Sequence, residues 1–369
     1  MRRVTAEVGG APLWFESADL PLAPAPEAFG SAALIPALHH RLRLQFADPV
    51  DSEWLENLAR LIPVLHRWWR YPEWNPETPP GERGIPAAGG SESRDNGPRA
   101  LFFSGGVDSF HRLLCDLERP AWIVTLWGFD FPLDDTTRAA AVEDGVRRIA
   151  AATGTRCAVV RTNARQHPLV DRTPWERAHG GILAGVGHLL APAATRITIS
   201  SSAPSDLEIP YGSHWSIDPL WSSSRTSVFH GGRGSMRVDK LRAIAPHPLV
   251  REHLRVCWRN LAPTGNCSRC GKCLFAMLAL ESFGELEHSR VFEGRSELAG
   301  RIDALPRTRD RFDSFAELAE APNLDPRVAA AVRALVKRSR HAARPDVRLR
   351  RAVMSRVIAS LGLPPRHDP

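Results

Sequence analysis

The sequence has few cysteines and no long apolar segment. It contains six cysteines in 369 residues, which is too few for a disulfide scaffold in a chain of this size. No stretch approaches the roughly 18 consecutive apolar residues of a membrane-spanning helix. The arginines near the N-terminus are not followed by the apolar segment of a signal peptide. We therefore expect a globular protein of the reducing cytoplasm.

Lysine is also scarce. Only Lys240, Lys272 and Lys337 are lysines, whereas lysine and arginine together number 48. The formal net charge is +7, but 41 acidic residues are mixed with the basic ones. This composition indicates a mixed surface and carries no strong signature of nucleic-acid binding. We attribute the preference for arginine to genome composition.

The chain is long enough for about two or three domains with a substantial core. Changes in composition and periodicity predict five parts. They are an α+β accessory domain (1–71), a Pro/Gly-rich linker or lid (72–98), a domain of alternating strands and helices (99–256), a four-cysteine segment (257–284) and a helical basic region (285–369).

Residues 99–256 predict an α/β fold. Short apolar runs at 99–103, 122–127, 157–161 and 196–200 alternate with segments of helical periodicity. Continuous apolar strands separated by helices are typical of a doubly wound parallel sheet that is covered on both faces. Ligands of such sheets bind beyond the carboxyl ends of the strands.

The first of these strands leads into a glycine turn with the sequence Ser104-Gly105-Gly106-Val107-Asp108-Ser109. A glycine pair allows a tight turn whose N–H groups point inward, and the helix that follows presents its positive end to the same point, so a phosphate fits there. No lysine follows as in the loop G-x-x-x-x-G-K-[S/T], which disfavours that class of NTPases. Asp108 could hold Mg²⁺ against a pyrophosphate.

Four cysteines have the spacing of metal ligands. Cys257, Cys267, Cys270 and Cys273 form the pattern C-x9-C-x2-C-x2-C. Four thiolates close a tetrahedron, which suits structural Zn²⁺ and leaves no open position for catalysis. An iron–sulfur cluster could use the same ligands. We expect Cys115 and Cys157 to lie in the core.

The loop after the predicted fourth strand, residues 201–218, combines hydroxyls, carboxylates, an imidazole and aromatic rings. We interpret this loop as the binding site of an acceptor substrate, that is, the molecule to which a group is transferred. Its candidate substrate contacts are Tyr211, His214 and Asp218. The alternative is a polar surface loop.

The glycine loop resembles the signature loop of the N-type ATP pyrophosphatases. Together with the predicted sheet and the cysteine spacing, it resembles 7-cyano-7-deazaguanine synthase and its relatives over residues 99–284. The resemblance implies an adenine nucleotide hydrolase-like fold with ATP, Mg²⁺ and Zn²⁺ as cofactors. It also implies adenylation of a carboxylic acid, such as a 7-deazaguanine acid, with release of pyrophosphate, followed by attack of ammonia or an amine to give an amide or a nitrile.

The resemblance also implies roles for individual residues. Lys240 would reach the ATP phosphates, although as a bare sequence feature it is a surface lysine. Trp127 and Gly128 follow the second strand, where the resembling families hold adenine; Trp127 and Phe129 would flank that ring or belong to the core. The pyrophosphate contacts would be Ser104, Gly105, Gly106, Val107 and Ser109.

The C-terminal region has an amphipathic helical pattern in which basic residues predominate from Arg327 to Arg356. Such a face is usually solvated, but it also suits an anionic partner such as RNA or an acidic protein. Two other functions therefore stay open beside the small-molecule ligase. They are modification of a macromolecule, either tRNA or a protein amine, and sensing of adenine nucleotides without turnover.

Overall fold

The computed structural model describes residues 2–78, 94–202, 209–232, 234–307 and 312–343. The chain divides into two compact units. The first comprises residues 1–240 and 253–255, and the second comprises residues 241–252 and the chain from Val256 onward. Parts of the predicted linker, acceptor loop and basic C-terminal region, at 79–93, 203–208 and 344–369, lie outside the described residues.

The first unit is built on one seven-stranded sheet. Its strands are β1 (Arg2–Val8), β2 (Ala11–Ser17), β3 (Arg99–Phe102), β4 (Trp122–Trp127), β5 (Arg156–Thr162), β6 (Arg196–Ser200) and β7 (Ser227–Gly231). They lie in the order β1-β2-β5-β4-β3-β6-β7. Strands β5, β4, β3, β6 and β7 are parallel, and β1 and β2 are antiparallel. The prediction of an α/β protein with a mostly parallel sheet is confirmed.

The strand order predicts a crevice beside β3. From β3 the chain first adds β4 and β5 on one side, and then continues with β6 and β7 on the other side. In open α/β sheets the loops diverge at such a reversal, and ligands bind there at the carboxyl ends of the strands. The loop after β3 and the segment after β6 are therefore the two segments that border this crevice.

The N-terminal hairpin belongs to the same sheet and is not a separate domain core. Strand β2 pairs with β5, and the side chains of Leu13 and Phe15 are buried in the main hydrophobic core. The hairpin turn uses Gly9 and Gly10, both with positive φ, as a tight two-residue turn between antiparallel strands requires. The domain boundary at residue 71 stays a prediction.

Among the described residues of the first unit, six α-helices with defined bounds precede the segment around Lys240. They are α1 (Pro26–His39), α2 (Ser52–Trp69), α3 (Val107–Cys115), α4 (Thr136–Thr153), α5 (Pro168–Asp171) and α6 (Trp175–Leu189). Asp51 accepts a hydrogen bond from the N–H of Trp54 and so caps α2, as the sequence predicts. Cys115, predicted to be buried, is instead exposed at the end of α3, because the buried face of this helix is formed by Val107, Phe110 and Leu113.

The remaining helices are α7 (Arg237–Ile244), α8 (Pro248–His253), α9 (Gly271–Ser282), α10 (Leu298–Asp303), α11 (Phe312–Ala319) and α12 (Pro326–Ala343). Helix α9 is the buried centre of the second unit, with residues from Cys273 to Leu280 inaccessible to solvent. Helix α12 buries Val328, Val332 and Leu335 and leaves Arg333 and Lys337 exposed, so its predicted amphipathic character is present. Within the described part of the chain, none of the helices combines the length and the apolar character that a membrane span requires.

Candidate functional site

The glycine loop connects β3 to α3 by a tight turn. Gly105 adopts φ +75°, which side chains with a Cβ disfavour, and Gly106 is the N-cap of α3. The N–H of Gly106 lies 3.3 Å from Oγ of Ser104. The exposed hydroxyl of Ser104 and the N-terminal end of α3 thus face the same point, which suits a phosphate.

Two other residues of the predicted phosphate-binding set point inward. Val107 and Ser109 are buried, and the Ser109 hydroxyl donates a hydrogen bond to the Gly106 carbonyl at 3.0 Å. Ser109 therefore stabilises the first turn of α3 in this structure. The loop offers a ligand Ser104 and backbone groups more directly than the side chains of Val107 and Ser109.

Asp108 is engaged by two cations. Its Oδ2 accepts a hydrogen bond from Arg237 at 2.6 Å, and its Oδ1 lies 3.5 Å from Nζ of Lys240. The same ammonium group donates to the carbonyl oxygen of Ser201, at the end of β6, at 2.7 Å. The two residues that the sequence predicts to act together, Asp108 and Lys240, are therefore adjacent at the crevice between β3 and β6.

Lys240 is buried, whereas lysine ammonium groups are usually exposed. Its side chain is 1% exposed. Burial lowers the pKa of Lys240 below the ordinary lysine value, and the charge of Asp108 opposes that shift because it favours the protonated form. Burial and the charge of Lys240 also lower the pKa of the neighbouring His111.

Arg255 is a functional candidate that the sequence analysis missed. Its backbone N–H donates to the carbonyl of Gly105 at 2.8 Å, and its side-chain Nε donates to the carbonyl of Ser104 at 3.3 Å. Its guanidinium also pairs with Asp130 at 2.8 Å. Arg255 thus joins the glycine loop to the segment after β4. The sequence does not distinguish Arg255 from the many other arginines. Its role becomes visible only from contacts with residues that are distant in the sequence.

The residues of the turn after β4 are packed closely against neighbouring residues. Gly128 adopts φ +90°, and a Cβ at that position would clash with the carbonyl of Thr162. The ring of Phe129 is buried and stacks edge-on against Trp175, with centroids 4.6 Å apart. The guanidinium of Arg161 lies over the ring of Trp127, 4.5 Å from its centroid. Phe129 is therefore part of the core, one of the two alternatives left open by the sequence.

The three predicted acceptor contacts lie near one another but have different surroundings. Tyr211 is exposed, and its ring lies against His179 with centroids 4.8 Å apart. His214 is buried and contacts Trp68 edge-on, with centroids 5.0 Å apart. Asp218 is fully buried, and both of its oxygens accept hydrogen bonds from protein groups. Of the three, Tyr211 is the side chain most accessible to a substrate.

The second unit contains a four-cysteine cluster. The Sγ atoms of Cys257, Cys267, Cys270 and Cys273 all lie within 4.8 Å of one another. Three of the separations are 3.5, 3.8 and 4.0 Å. A tetrahedron with Zn–S bonds of about 2.3 Å has edges of about 3.8 Å. The cluster could therefore hold a metal ion such as zinc.

Backbone contacts fix the cluster. Oδ1 of Asn266 accepts hydrogen bonds from the N–H groups of Val256 and Cys257, at 2.8 and 3.1 Å. The Cys270 N–H points to the sulfur of Cys267 at 3.3 Å. The hydrogen bond between the Cys270 and Cys273 thiols is the main cause that lowers the pKa of Cys270 to about 5, and the same hydrogen bond together with burial raises the pKa of Cys273.

The chain matches no protein-family model, no curated protein sequence and no solved structure. Functional conclusions therefore rest on the residues themselves.

Proposed function

We propose that the protein is an ATP-dependent ligase that adenylates a substrate carboxylate and transfers the acyl group to a nitrogen nucleophile. The observation that carries this proposal is the glycine loop at the point where the strand order reverses, with Lys240, Arg237 and Arg255 around it. Phosphates bind where backbone N–H groups, a helix N-terminus and cationic side chains converge.

The arrangement suits the displacement of pyrophosphate. An oxygen of the substrate carboxylate would attack the α-phosphorus of ATP, and the bond from that phosphorus to the leaving pyrophosphate would break. Ser104 and the N-terminal end of α3 would bind the leaving group, and Lys240 would neutralise the charge that develops on it. A nitrogen nucleophile would then attack the acyl carbon and release AMP.

The same residues fit Mg²⁺ bound with the nucleotide. Mg²⁺ typically binds one or two carboxylates together with substrate phosphate oxygens, and Asp108 supplies one carboxylate at the mouth of the loop. Arg237 and Lys240 hold Asp108 in the structure, and the phosphates of ATP offer both cations alternative anionic partners. The metal would supply further neutralisation of phosphate charge.

We assign zinc to the four-cysteine cluster. The sulfur separations of 3.5–4.0 Å match ligands of a single tetrahedral ion. An iron–sulfur cluster needs room for several irons and bridging sulfides between its cysteines, so its ligand sulfurs lie farther apart. Four thiolates fill the coordination of zinc, and its role would be structural.

Exchange of labelled pyrophosphate into ATP tests the proposed function. The exchange depends on reversible adenylation, so we expect it only in the presence of a suitable acid. A panel of aromatic and aliphatic carboxylic acids would begin with 7-carboxy-7-deazaguanine, which the resemblance suggests. Asp108→Ala should abolish the exchange, whereas Asp144→Ala, at an exposed ion pair of α4, should leave it intact. Absence of exchange with every acid would contradict the proposal.

One observation favours a second candidate function, nucleotide sensing without turnover. Both oxygens of Asp108 already face cations in the structure, so ATP binding could release this ion-pair network without any chemistry. A sensor would bind ATP in calorimetry and leave it unchanged. Binding without pyrophosphate exchange would therefore distinguish the sensor from the ligase.

A further inference from the structure

A histidine–aspartate pair lies beside the glycine-loop crevice and has no role in the adenylation step. Nδ1 of His230, on β7, lies 2.7 Å from Oδ2 of Asp218. The Asp218 side chain is 0% exposed and that of His230 is 7% exposed. Asp218 also accepts hydrogen bonds from the Ser213 hydroxyl at 2.7 Å and from the His214 N–H at 3.1 Å. This carboxylate is therefore held in one orientation by three donors.

The pair fixes the state of the imidazole ring. Because a buried carboxylate accepts hydrogen bonds, the neutral ring of His230 must carry its proton on Nδ1. Its Nε2 then presents a lone pair. No group in the described part of the chain forms a hydrogen bond with that Nε2 atom. A ring with one nitrogen oriented by a carboxylate and the other available is arranged for proton transfer.

The position of His230 connects the pair to the proposed ATP site. His230 is in register with Ile199 of β6, one residue before the end of that strand. The next residue, Gly231, accepts a hydrogen bond from the N–H of Ser201 at 2.7 Å. The carbonyl of the same Ser201 binds Nζ of Lys240. His230 thus lies at the carboxyl end of the sheet, one strand away from the crevice.

We infer that His230 is the base that accepts a proton from the nitrogen nucleophile, and that Asp218 is its positioning residue. This inference rests on the proposed function and concerns its second half. The nitrogen lone pair forms the new C–N bond, the bond from the acyl carbon to the AMP oxygen breaks, and AMP leaves with that electron pair. The proton lost by nitrogen moves to Nε2 of His230 and then to solvent. No oxidant or further reactant is needed.

Two nucleophiles test this role. Ammonia is mostly protonated at neutral pH, so its attack on the acyl adenylate depends on a base that removes a proton. Hydroxylamine is mostly unprotonated at the same pH, so its attack depends less on such a base. With ATP and the acid that gives the strongest pyrophosphate exchange, His230→Gln should lower amide formation from ammonium chloride by about 100-fold or more, a typical contribution of a general base. Hydroxamate formation from hydroxylamine and the pyrophosphate exchange should change much less.

A matched control is His288→Gln, the same substitution at an exposed histidine that pairs with the neighbouring Glu287. We expect amide formation close to that of the unmodified protein. Asp218→Asn should lower amide formation with ammonia as His230→Gln does, because the amide can no longer fix the same tautomer. Circular dichroism would verify that each variant is folded.

NMR of protein labelled with ¹⁵N-histidine gives a readout that is independent of activity. We expect a downfield Nδ1–H proton that disappears in His230→Gln and moves upfield in Asp218→Asn. If the protein shows no pyrophosphate exchange at all, the proposed function fails. If exchange occurs but His230→Gln forms the amide from ammonia at the normal rate, or the proton resides on Nε2, only the role of His230 is overturned.

Discussion

The ammonium group of Lys240 lies 3.5 Å from the carboxylate of Asp108, although the two residues are 132 positions apart in the chain. The lysine is buried and also binds the carbonyl of Ser201. A buried charge persists only where opposite charges and acceptors compensate for its desolvation. The pair therefore ties α3, the end of β6 and the segment at 237–240 into one charged cluster.

Replacing Lys240 should weaken nucleotide binding more than it weakens the fold. We expect Lys240→Met to raise the dissociation constant of ATP by roughly ten- to hundredfold, which corresponds to about 1.5–3 kcal/mol for a lost hydrogen bond to a charged group. Isothermal titration calorimetry measures this change. Lys337→Met, at an exposed lysine of α12, is the matched control and should bind ATP normally. Equal affinity of the two variants would contradict a phosphate contact by Lys240.

The lowered pKa of Lys240 also predicts a pH dependence of stability. Between its lowered folded pKa and the ordinary lysine value, the unfolded chain binds more protons at this residue than the folded chain. The free energy of unfolding therefore gains a contribution that grows as the pH rises through this window. Chemical denaturation should show that the protein gains stability relative to Lys240→Met as the pH is raised toward the ordinary lysine pKa of about 10.4. If the difference in unfolding free energy between the two proteins stays constant over this pH range, a lowered pKa of Lys240 is excluded.

The glycine at position 105 can be tested against a glycine with similar backbone strain. Gly105 and Gly10 both have positive φ, at +75° and +81°, and an alanine there costs about 1–2 kcal/mol. A Cβ at Gly10 would meet open space, whereas one at Gly105 would lie 3.4 Å from Cβ of Arg255. We expect both alanine variants to lower the melting temperature similarly, but only Gly105→Ala to weaken ATP binding. A similar loss of ATP affinity in Gly10→Ala would contradict a local effect.

The sequence predicts those features whose signals are local. The four apolar strands, the glycine loop and the capping of α2 by Asp51 all follow from neighbouring residues. The alternating apolar and polar residues at 41–46 predict a half-buried strand, which is wrong, because in the structure only Gln45 of this segment forms a bridge, to Glu77. The residues from Trp54 to Leu65 have helical periodicity, and Pro63 predicts an interruption of that helix. This prediction is also wrong, since α2 continues to Trp69 and its buried face compensates for the missing hydrogen bond.

Other features depend on partners that are distant in sequence. Strand β7 is short, and it was missed because its burial comes from pairing with β6. The contact of His230 with Asp218 and that of Arg255 with the glycine loop need the fold to bring them together. The cysteine spacing, by contrast, predicted correctly that the four cysteines converge into a cluster that could hold a metal ion, because they lie close together in the sequence.

The assignment of zinc predicts one equivalent of metal that depends on the cluster. Cys270→Ser should lose most of the zinc and should unfold at a lower temperature, because metal binding by a four-thiolate site contributes directly to folding. Cys115→Ser is the control, since Cys115 is exposed and outside the cluster. Atomic absorption and thermal denaturation measure both properties. Full zinc content in Cys270→Ser, or iron with an absorbing chromophore in the unmodified protein, would contradict the assignment.

Arg255 should act on the glycine loop through its side chain. In Arg255→Ala the backbone bond to Gly105 can remain, but the contacts with the Ser104 carbonyl and with Asp130 are lost. We expect ATP affinity to fall by about tenfold, as for the loss of one charge-assisted contact. The control Arg148→Ala removes an exposed pair with Asp144 and should have no effect, because such pairs contribute little. Unchanged affinity in Arg255→Ala would exclude its role at the loop.

The close packing of α1 against α6 depends on glycine and gives a prediction about stability. A Cβ at Gly185 would overlap the backbone carbonyl of Ala28 in α1. Backbone cannot move as a flexible side chain can, so Gly185→Ala should force the helices apart and cost about 1–3 kcal/mol of stability, as overpacking of a core does.

Gly300 lies in helix α10 with open space around it. Gly300→Ala should therefore be neutral or stabilising by about 0.4–1 kcal/mol, through the reduced entropy of the unfolded chain. Denaturant unfolding of the two variants compares the same chemical change in both settings. A stable Gly185→Ala protein would show that the two helices are not held at the distance seen in this structure.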